Sequence, residues 1–253
     1  MALKRPRRTR RFEPKRASAR EPASASGGVP VRRVEWRPCV RIVPSRFPPV
    51  DLFERVADRA DFEALYEVEA MTNDRLRDAA GEVALVSEDE RVHGPGASYI
   101  MAPFTHLAPV GGRYTDGTYG AYYAAADRAT AVAETRYHRQ RFMAYTSEPP
   151  VALEMRVLEA HLDAELHDVR GFGDTRPELY RSDDYAAPQT LGRDLRAEGS
   201  WGIVYDSVRL PGGKCAAVFR PRALSDCRQA EHLVYVWNGE RIVEVYEKRL
   251  YRP

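Results

Sequence analysis

The stretch GGRYTDGTYGAYYAAADRATAVAETRYHRQRF, residues 111–142, says most about the fold. Its Gly-Gly and Asp-Gly pairs are typical of turns. The run TYGAYYAAA, residues 118–126, predicts a strand rich in tyrosine and small side chains. Asp127 is a good N-cap for a helix of about 13 residues that begins at Arg128. This turn, strand and helix place Glu134 in the middle of the helix.

Upstream of this stretch, residues 31–36 and 39–44 form short β-rich runs that end before a proline-rich segment. Asp51 is predicted to cap one helix, and a second helix is predicted from Asp61 towards Gly81. A further strand is predicted from Tyr99 to Phe104.

Downstream, apolar residues alternate with polar ones over 151–157, as in a half-buried strand. A polar, loop-rich region is predicted over about 165–200. It precedes three apolar runs, WGIVYDSV, CAAVF and HLVYVW, and a last strand in ERIVEVYEKRLY. Many β-like runs interrupted by a few helices, without regular βαβ alternation, predict an α+β fold with a mixed β-sheet.

The composition excludes several classes of protein. The chain has 253 residues, 43% of them apolar, with 39 Lys+Arg against 37 Asp+Glu. These values exclude a coiled-coil rod, a collagen-like chain and a fully disordered protein. Residues 1–20 hold nine basic and one acidic residue, whereas the remaining 233 hold 30 and 36. We therefore predict a disordered basic arm over 1–30 and a single domain over 31–253.

The cysteines and the apolar runs bear on location. Cys39, Cys215 and Cys227 lie far apart with no CxxC spacing, so neither a disulfide framework nor a metal site is predicted. No run of about 18 apolar residues is present, and no apolar segment follows Arg10 and Arg11, so we expect a cytoplasmic protein without membrane attachment. The basic arm lacks interleaved aromatic residues, so direct nucleic-acid binding is not expected.

Two arginines and one glutamate are candidates for chemistry. Arg41 and Arg113 lie in strand-end or turn contexts, and guanidinium groups match phosphate oxygens bidentately. Composition alone favours solvated side chains for these arginines and a helix-surface carboxylate for Glu134. HExxH, GxSxG, Walker and GxGxxG motifs are absent from the sequence. The residues alone therefore predict a soluble α+β domain with an anion-binding capacity.

Four segments taken together make this prediction more specific. They are VRIVPSRFPPVDLFERV, TNDRL, GRYTDGTYGAYYAAADRATAVAETRYHRQRF and GSWGIVYDSVRLPGGKCAAVFRP, which occur in the order found in the RES-domain family. The chain resembles this family over roughly residues 38–240. The resemblance implies a fold like that of the diphtheria-toxin-type ADP-ribosyltransferases and consumption of NAD+ as substrate, with no prosthetic group. It also implies a toxin neutralised by a helix-turn-helix antitoxin of the Xre type.

The resemblance assigns three catalytic positions. The family's first arginine falls on Arg41, with Arg46 as the alternative, its glutamate on Glu134, and its serine on Ser207. The implied role of Glu134 is to stabilise the positive charge that develops on the ribose as nicotinamide leaves. Ser207 would bind the nicotinamide amide or a phosphate, or would be a strand-end hydroxyl bonded to backbone.

Three further positions are assigned to binding of the dinucleotide. The arginine of the family's GGRW turn falls on Arg113, which with Arg41 would hold the diphosphate. Tyr123 would stack on the nicotinamide ring, with a core tyrosine as the alternative. Tyr114 stands where the family motif has tryptophan, so the ring survives but the indole does not.

The predicted activity is cleavage of the nicotinamide–ribose bond by an NAD+ phosphorylase or glycohydrolase. Two alternatives are a mono-ADP-ribosyltransferase that modifies a protein, and a non-catalytic module with a nucleic-acid-binding arm. The acceptor stays open between water, inorganic phosphate and a protein side chain. A phosphate pocket near Glu134 would have Arg136 or His138 as contributors.

Overall fold

The computed structural model describes residues 28–45, 81–146, 148–249 and 251. Seven strands and three α-helices carry the architecture of these residues. The strands are β1 (Val31–Pro44), β2 (Tyr122–Ala125), β3 (Val151–Asp168), β4 (Gly202–Asp206), β5 (Lys214–Val218), β6 (Leu224–Trp237) and β7 (Ile242–Lys248). The helices are α1 (Ala97–Thr105), α2 (Arg128–Thr146) and α3 (Ala186–Ala197).

The strands form one mixed sheet in the order β1-β2-β5-β4-β3-β6-β7, with an additional pairing of β1 with β3. Most pairs are antiparallel, and β3 and β4 are parallel. The long strands β1 and β3 pair along most of their length, whereas β1 meets β2 at Val40 and Ala125. The predicted α+β class with a mixed sheet is confirmed. The likeness to diphtheria-toxin-type ADP-ribosyltransferases stays a prediction.

Successive side chains of a strand point to opposite faces of a sheet, and the core divides accordingly. Ala216 and Val218 of β5 belong to a cluster that packs against α1. Cys215 and Ala217 belong to the cluster on the other face, which α2 and α3 cover through residues such as Ala131. The three cysteines are buried and form no disulfide with one another.

Several local predictions are confirmed. Asp127 caps α2 as predicted: its Oδ1 accepts the Thr130 backbone N–H at 2.8 Å, and its Oδ2 accepts the Thr130 hydroxyl at 2.7 Å. The helix is longer than predicted, with 19 residues. The predicted last strand is β7, and the tyrosine-rich strand is confined to Tyr122–Ala125.

Two predictions are wrong. The strand predicted from Tyr99 to Phe104 is helix α1, because Ala97, Ile100, Met101 and Phe104 bury one helical face at i, i+3, i+4 and i+7. The predicted loop-rich region over 165–200 contains α3, whose buried Leu191 and Leu195 lie one turn apart.

The remaining predictions concern residues at or beyond the limits of the described ranges. The helices predicted at Asp51 and Asp61 lie outside the described residues, as does most of the predicted arm over 1–30. Ordered packing begins before Val31: Val29 is buried, and the Pro30 carbonyl accepts the Asp168 N–H at 2.7 Å. No helix in the described part of the chain has the length and hydropathy needed to cross a membrane.

Candidate active site

Glu134 lies on the face of α2 that turns towards the sheet. The cap at Asp127 fixes where the helix begins, and the small Ala131 lies about one turn before the glutamate. The carboxylate is half-buried. Its Oε1 accepts a hydrogen bond of 2.6 Å from Ser207 Oγ and a contact of 3.8 Å from Cys215 Sγ. The carboxylate is therefore held at one oxygen by residues of the loop after β4 and of β5.

The hydroxyl of Ser207 is fully used in this arrangement. Ser207 Oγ accepts the backbone N–H groups of Arg209 and Leu210 at 3.1 and 3.0 Å. A hydroxyl has one hydrogen to donate and two lone pairs, so its hydrogen is left for Glu134. Binding of a nicotinamide amide or a phosphate by Ser207 stays a prediction. In this structure Ser207 does not line the cleft, and its link to the cleft is the hydrogen bond to Glu134.

A cleft of about 390 Å³ opens beside Glu134. This volume lies within the range typical of small-molecule sites. The cleft gathers Arg41 from β1, Arg113 from the turn before β2, Tyr123 from β2 and Glu134 from α2. Four residues assigned from the resemblance therefore share one cavity.

Arg41 forms part of the cleft wall while tied to the sheet. Its Nη1 donates to the Tyr123 carbonyl at 3.0 Å, and its guanidinium lies 4.9 Å from the centre of the Tyr122 ring. Burial lowers the pKa of Arg41 from its ordinary value, and the neighbouring Tyr122 partly offsets this. The alternative first-motif residue, Arg46, lies outside the described residues.

Arg113 is buried, with 7% of its surface exposed. Its Nη1 donates to the carbonyls of Leu179 and Arg181 at 2.9 and 3.1 Å, and its guanidinium lies 4.7 Å from the centre of the Tyr185 ring. One guanidinium nitrogen therefore holds the segment before α3, and the other two donate no hydrogen bond within the described part of the chain.

The two tyrosines assigned to binding differ in position. Tyr123 lines the cleft, and its hydroxyl accepts the Tyr114 N–H at 2.8 Å and lies 3.2 Å from Thr115 Oγ1. Burial raises the pKa of Tyr123 to about 12. Tyr114 is 0% exposed and packs edge-to-face on Tyr205 at 5.0 Å. The assignment of Tyr114 to ligand binding is therefore corrected, because its ring lies in the core beneath the turn and supports Tyr123 by its backbone.

Of the two residues considered for a phosphate pocket, one lies at the cleft. His138 is at its solvent-exposed mouth, where desolvation by the surrounding atoms and then the charge of Arg209 lower its pKa to about 4. Arg136 does not line the cleft: it lies at the start of β7, where its Nη2 donates to the Ile242 carbonyl at 2.6 Å. Arg136 is therefore remote from the position predicted for it.

The structure adds residues that the sequence did not indicate. Cys215 and Tyr205 line the cleft below Glu134. The alternation along CAAVF marks Cys215 as facing the same side as Ala217, but only the sheet order identifies that side as the one under α2. Among the described residues, no group of three or more His, Cys, Asp or Glu side chains could hold a metal ion.

Comparisons with known proteins match the part of the chain that contains most of these site residues. The RES domain family matches residues 89–238. An uncharacterized protein of Sinorhizobium fredii, y4oC, is 35% identical over 209 residues, which cover 81% of this chain and 85% of that protein. A chain in the crystal structure of the M. tuberculosis MbcT-MbcA toxin-antitoxin complex aligns with a TM-score of 0.46 and 14% identity. That alignment covers 81% of this chain and 90% of the other.

The fold and the site define an α+β protein with a glutamate in an arginine-lined cleft. The extent of the family match and the identity to the Sinorhizobium protein show that the chain belongs to the RES-domain family. The match contains Arg113, Glu134 and Ser207 and begins after Arg41. The assignment of Arg41 therefore depends on the geometry of the cleft.

Proposed function

We propose that this protein cleaves the nicotinamide–ribose bond of NAD+, as a phosphorylase or glycohydrolase of the RES-domain family. The observation that carries the proposal is the position of Glu134, which Ser207 holds at 2.6 Å in a cleft that also contains Arg41 and Arg113. Two cations suit a diphosphate, and a carboxylate suits the positive charge that develops on the ribose.

The proposed roles follow from these positions. Arg41 and the guanidinium nitrogens of Arg113 other than Nη1 bind the diphosphate, and Tyr123 packs on an aromatic ring of the substrate. Glu134 stabilises the oxocarbenium-like ribose when the glycosidic bond breaks and the bonding electrons leave with neutral nicotinamide. His138 is unprotonated near neutral pH, so it contributes no charge to this step.

The test is incubation of the purified protein with NAD+, with and without inorganic phosphate, followed by product analysis. Free ADP-ribose identifies water as the acceptor, and ADP-ribose 1''-phosphate identifies phosphate. We expect Glu134→Gln to lower kcat by about 10²–10³-fold, because a fixed charge near the reacting centre is lost. The matched control is Glu240→Gln, an exposed glutamate of the turn between β6 and β7. Wild-type protein that leaves NAD+ intact would contradict the proposal.

The same cleft suits a mono-ADP-ribosyltransferase, because cleavage and transfer share the first bond-breaking step. NAD+ labelled in the ADP-ribose half separates them: label on a protein supports transfer, and label in a small product supports cleavage.

The second alternative is a non-catalytic module whose basic arm binds nucleic acid. If it is right, deletion of residues 1–30 should abolish a salt-sensitive association with nucleic acid. The enzyme should keep its turnover after the same deletion.

We further propose that the protein is a cytoplasmic toxin with an Xre-type antitoxin as partner. The family resemblance supports this role, and three buried cysteines that form no disulfide suit a reducing compartment. Expression of wild-type protein should deplete cellular NAD+, and Glu134→Gln should not. Co-expression of the neighbouring reading frame should restore NAD+ if it encodes the antitoxin.

A further inference from the structure

Cys215 lies at the floor of the cleft, directly below Glu134. It is the second residue of β5, and its side chain faces α2 because Ala216 and Val218 face the opposite side of the sheet. Only 2% of the residue is exposed, and Sγ lies 3.8 Å from Glu134 Oε1. This distance fits a hydrogen bond that involves sulfur, which is longer than one between oxygen and nitrogen.

The protonation state of the Cys215 thiol decides which group donates this hydrogen bond. Burial, and then the charge of Glu134, raise the pKa of Cys215 well above its ordinary value. The thiol therefore keeps its proton at neutral pH. An ionised carboxylate only accepts hydrogen bonds, so Cys215 is the donor.

Both donors reach the same oxygen of Glu134. Ser207 and Cys215 converge on Oε1, and none of residues 28–45, 81–146, 148–249 and 251 donates a hydrogen bond to Oε2. A carboxylate held by two donors at one oxygen cannot rotate about its last bond without losing both contacts. Oε2 is then the oxygen presented to the cleft.

We propose that Cys215 is a positioning residue, which with Ser207 fixes the Glu134 carboxylate so that Oε2 alone acts on the substrate. The proposal rests on the proposed NAD+-cleaving function. Because Cys215 acts through Glu134 and not through the diphosphate-binding arginines, its loss should change kcat and leave KM unaltered.

The kinetic test compares three variants under conditions where circular dichroism shows each to be folded. Cys215→Ala should lower kcat for NAD+ cleavage by about five- to tenfold, the range that one net hydrogen bond supports. Cys215→Ser restores a donor and should recover kcat to within about twofold of wild type. The matched control is Cys39→Ala, which removes a fully buried thiol outside the cleft. Equal kcat for Cys215→Ala and wild type would overturn the proposal, as would a rise in KM with unchanged kcat.

A second measurement does not depend on turnover. The infrared S–H stretching band of Cys215, isolated by subtracting the spectrum of Cys215→Ala, reports whether the thiol donates a hydrogen bond. We expect this band to move towards the free-thiol position in Glu134→Ala, which removes the accepting oxygen. A band that does not move would overturn the proposal. If wild-type protein leaves NAD+ intact but the band moves, the proposed function fails and the contact stands.

Discussion

Glu134 differs from a surface glutamate in having its two oxygens in different surroundings. The Ser207 hydroxyl donates to Oε1 at 2.6 Å, and the same hydroxyl accepts two backbone N–H groups of the loop after β4. A carboxylate fixed before substrate arrives needs no reorganisation when charge develops beside it. This fixation distinguishes Glu134 from a solvated helix charge.

His138 makes the stability of the protein depend on pH. Its folded-state pKa of about 4 lies below its ordinary value of 6.5, so the unfolded chain takes up this proton first as the pH falls. The contribution to stability is therefore complete above about pH 6.5 and is lost as the pH falls towards 4. In urea unfolding between these values, we expect His138→Gln to lose less stability than wild type. His161→Gln, which removes a surface partner of Asp226, is the control. Identical pH dependence of His138→Gln and wild type would contradict this assignment.

Tyr114 has a polar atom that the fold does not use. Its hydroxyl is buried and has no hydrogen-bond partner in the described part of the chain. A buried donor without a partner costs free energy, so we expect Tyr114→Phe to match or exceed wild-type stability by up to about 1 kcal/mol. Tyr119→Phe is the matched comparison, because the Tyr119 hydroxyl donates to the Tyr114 carbonyl at 2.6 Å. It should destabilise by about 1–3 kcal/mol. Denaturant unfolding measures both, and a large loss in Tyr114→Phe would show an unseen partner.

At the level of elements, α3 holds the turn that carries Arg113. Gln189 Nε2 donates to the carbonyls of Gly112 and Thr115 at 3.0 and 3.2 Å. Gly192, one turn further along, lies so close to the turn that an added Cβ would be 2.2 Å from the Tyr114 carbonyl oxygen. The helix that the sequence did not predict is thus part of the support of the candidate site.

This close approach makes Gly192 sensitive to substitution. Alanine favours a helix over glycine by about 1 kcal/mol, but here its Cβ would meet backbone that has to move. We expect Gly192→Ala to destabilise the protein by about 1–3 kcal/mol and to raise KM for NAD+, because the turn that carries Arg113 shifts. Gly173→Ala is the control, since its Cβ would meet no atom within 4 Å. Unfolding midpoints and KM values decide the matter. Wild-type values for Gly192→Ala would show that the helix does not hold the turn.

The cleft is a property of the whole molecule, because no single element builds it. Arg41 arrives on β1, Tyr123 on β2 and Glu134 on α2, and the hydrogen bond from Arg41 to the Tyr123 carbonyl joins two of them. Arg41 is half-buried, so its interaction with a bound anion is screened by salt less than that of an exposed arginine.

Two arginines of the same strand provide the test of this cleft. Arg41→Gln should raise KM for NAD+ by about 10- to 100-fold, because a charge-assisted hydrogen bond to the diphosphate is lost. Arg33→Gln should leave KM unchanged, since Arg33 forms an exposed ion pair with Asp163 at 2.8 Å. Steady-state kinetics at two salt concentrations measure both variants. Equal KM values for the two would remove Arg41 from the site and leave the first-motif arginine to be sought elsewhere, with Arg46 the predicted alternative.

The sequence by itself determined the features that depend on near neighbours. The Asp127 cap, the helix that carries Glu134 and the alternation along β3 each follow from residues within a few positions of one another. The motifs around Arg113, Glu134 and Ser207 were likewise sufficient to identify the family. Where the local signal was mixed, as at α1 and α3, burial of a helical face against the sheet decided the outcome.

Only the tertiary structure decided what surrounds the glutamate. Ser207 and Cys215 lie 73 and 81 positions away from Glu134 along the chain, and Arg113 lies 66 positions from the Leu179 carbonyl that it holds. The order of the strands brings these groups together, and that order is set by pairing and burial over the whole sheet. Local sequence patterns therefore assign residue types to a site, whereas the choice of the oxygen that faces the substrate requires the folded chain.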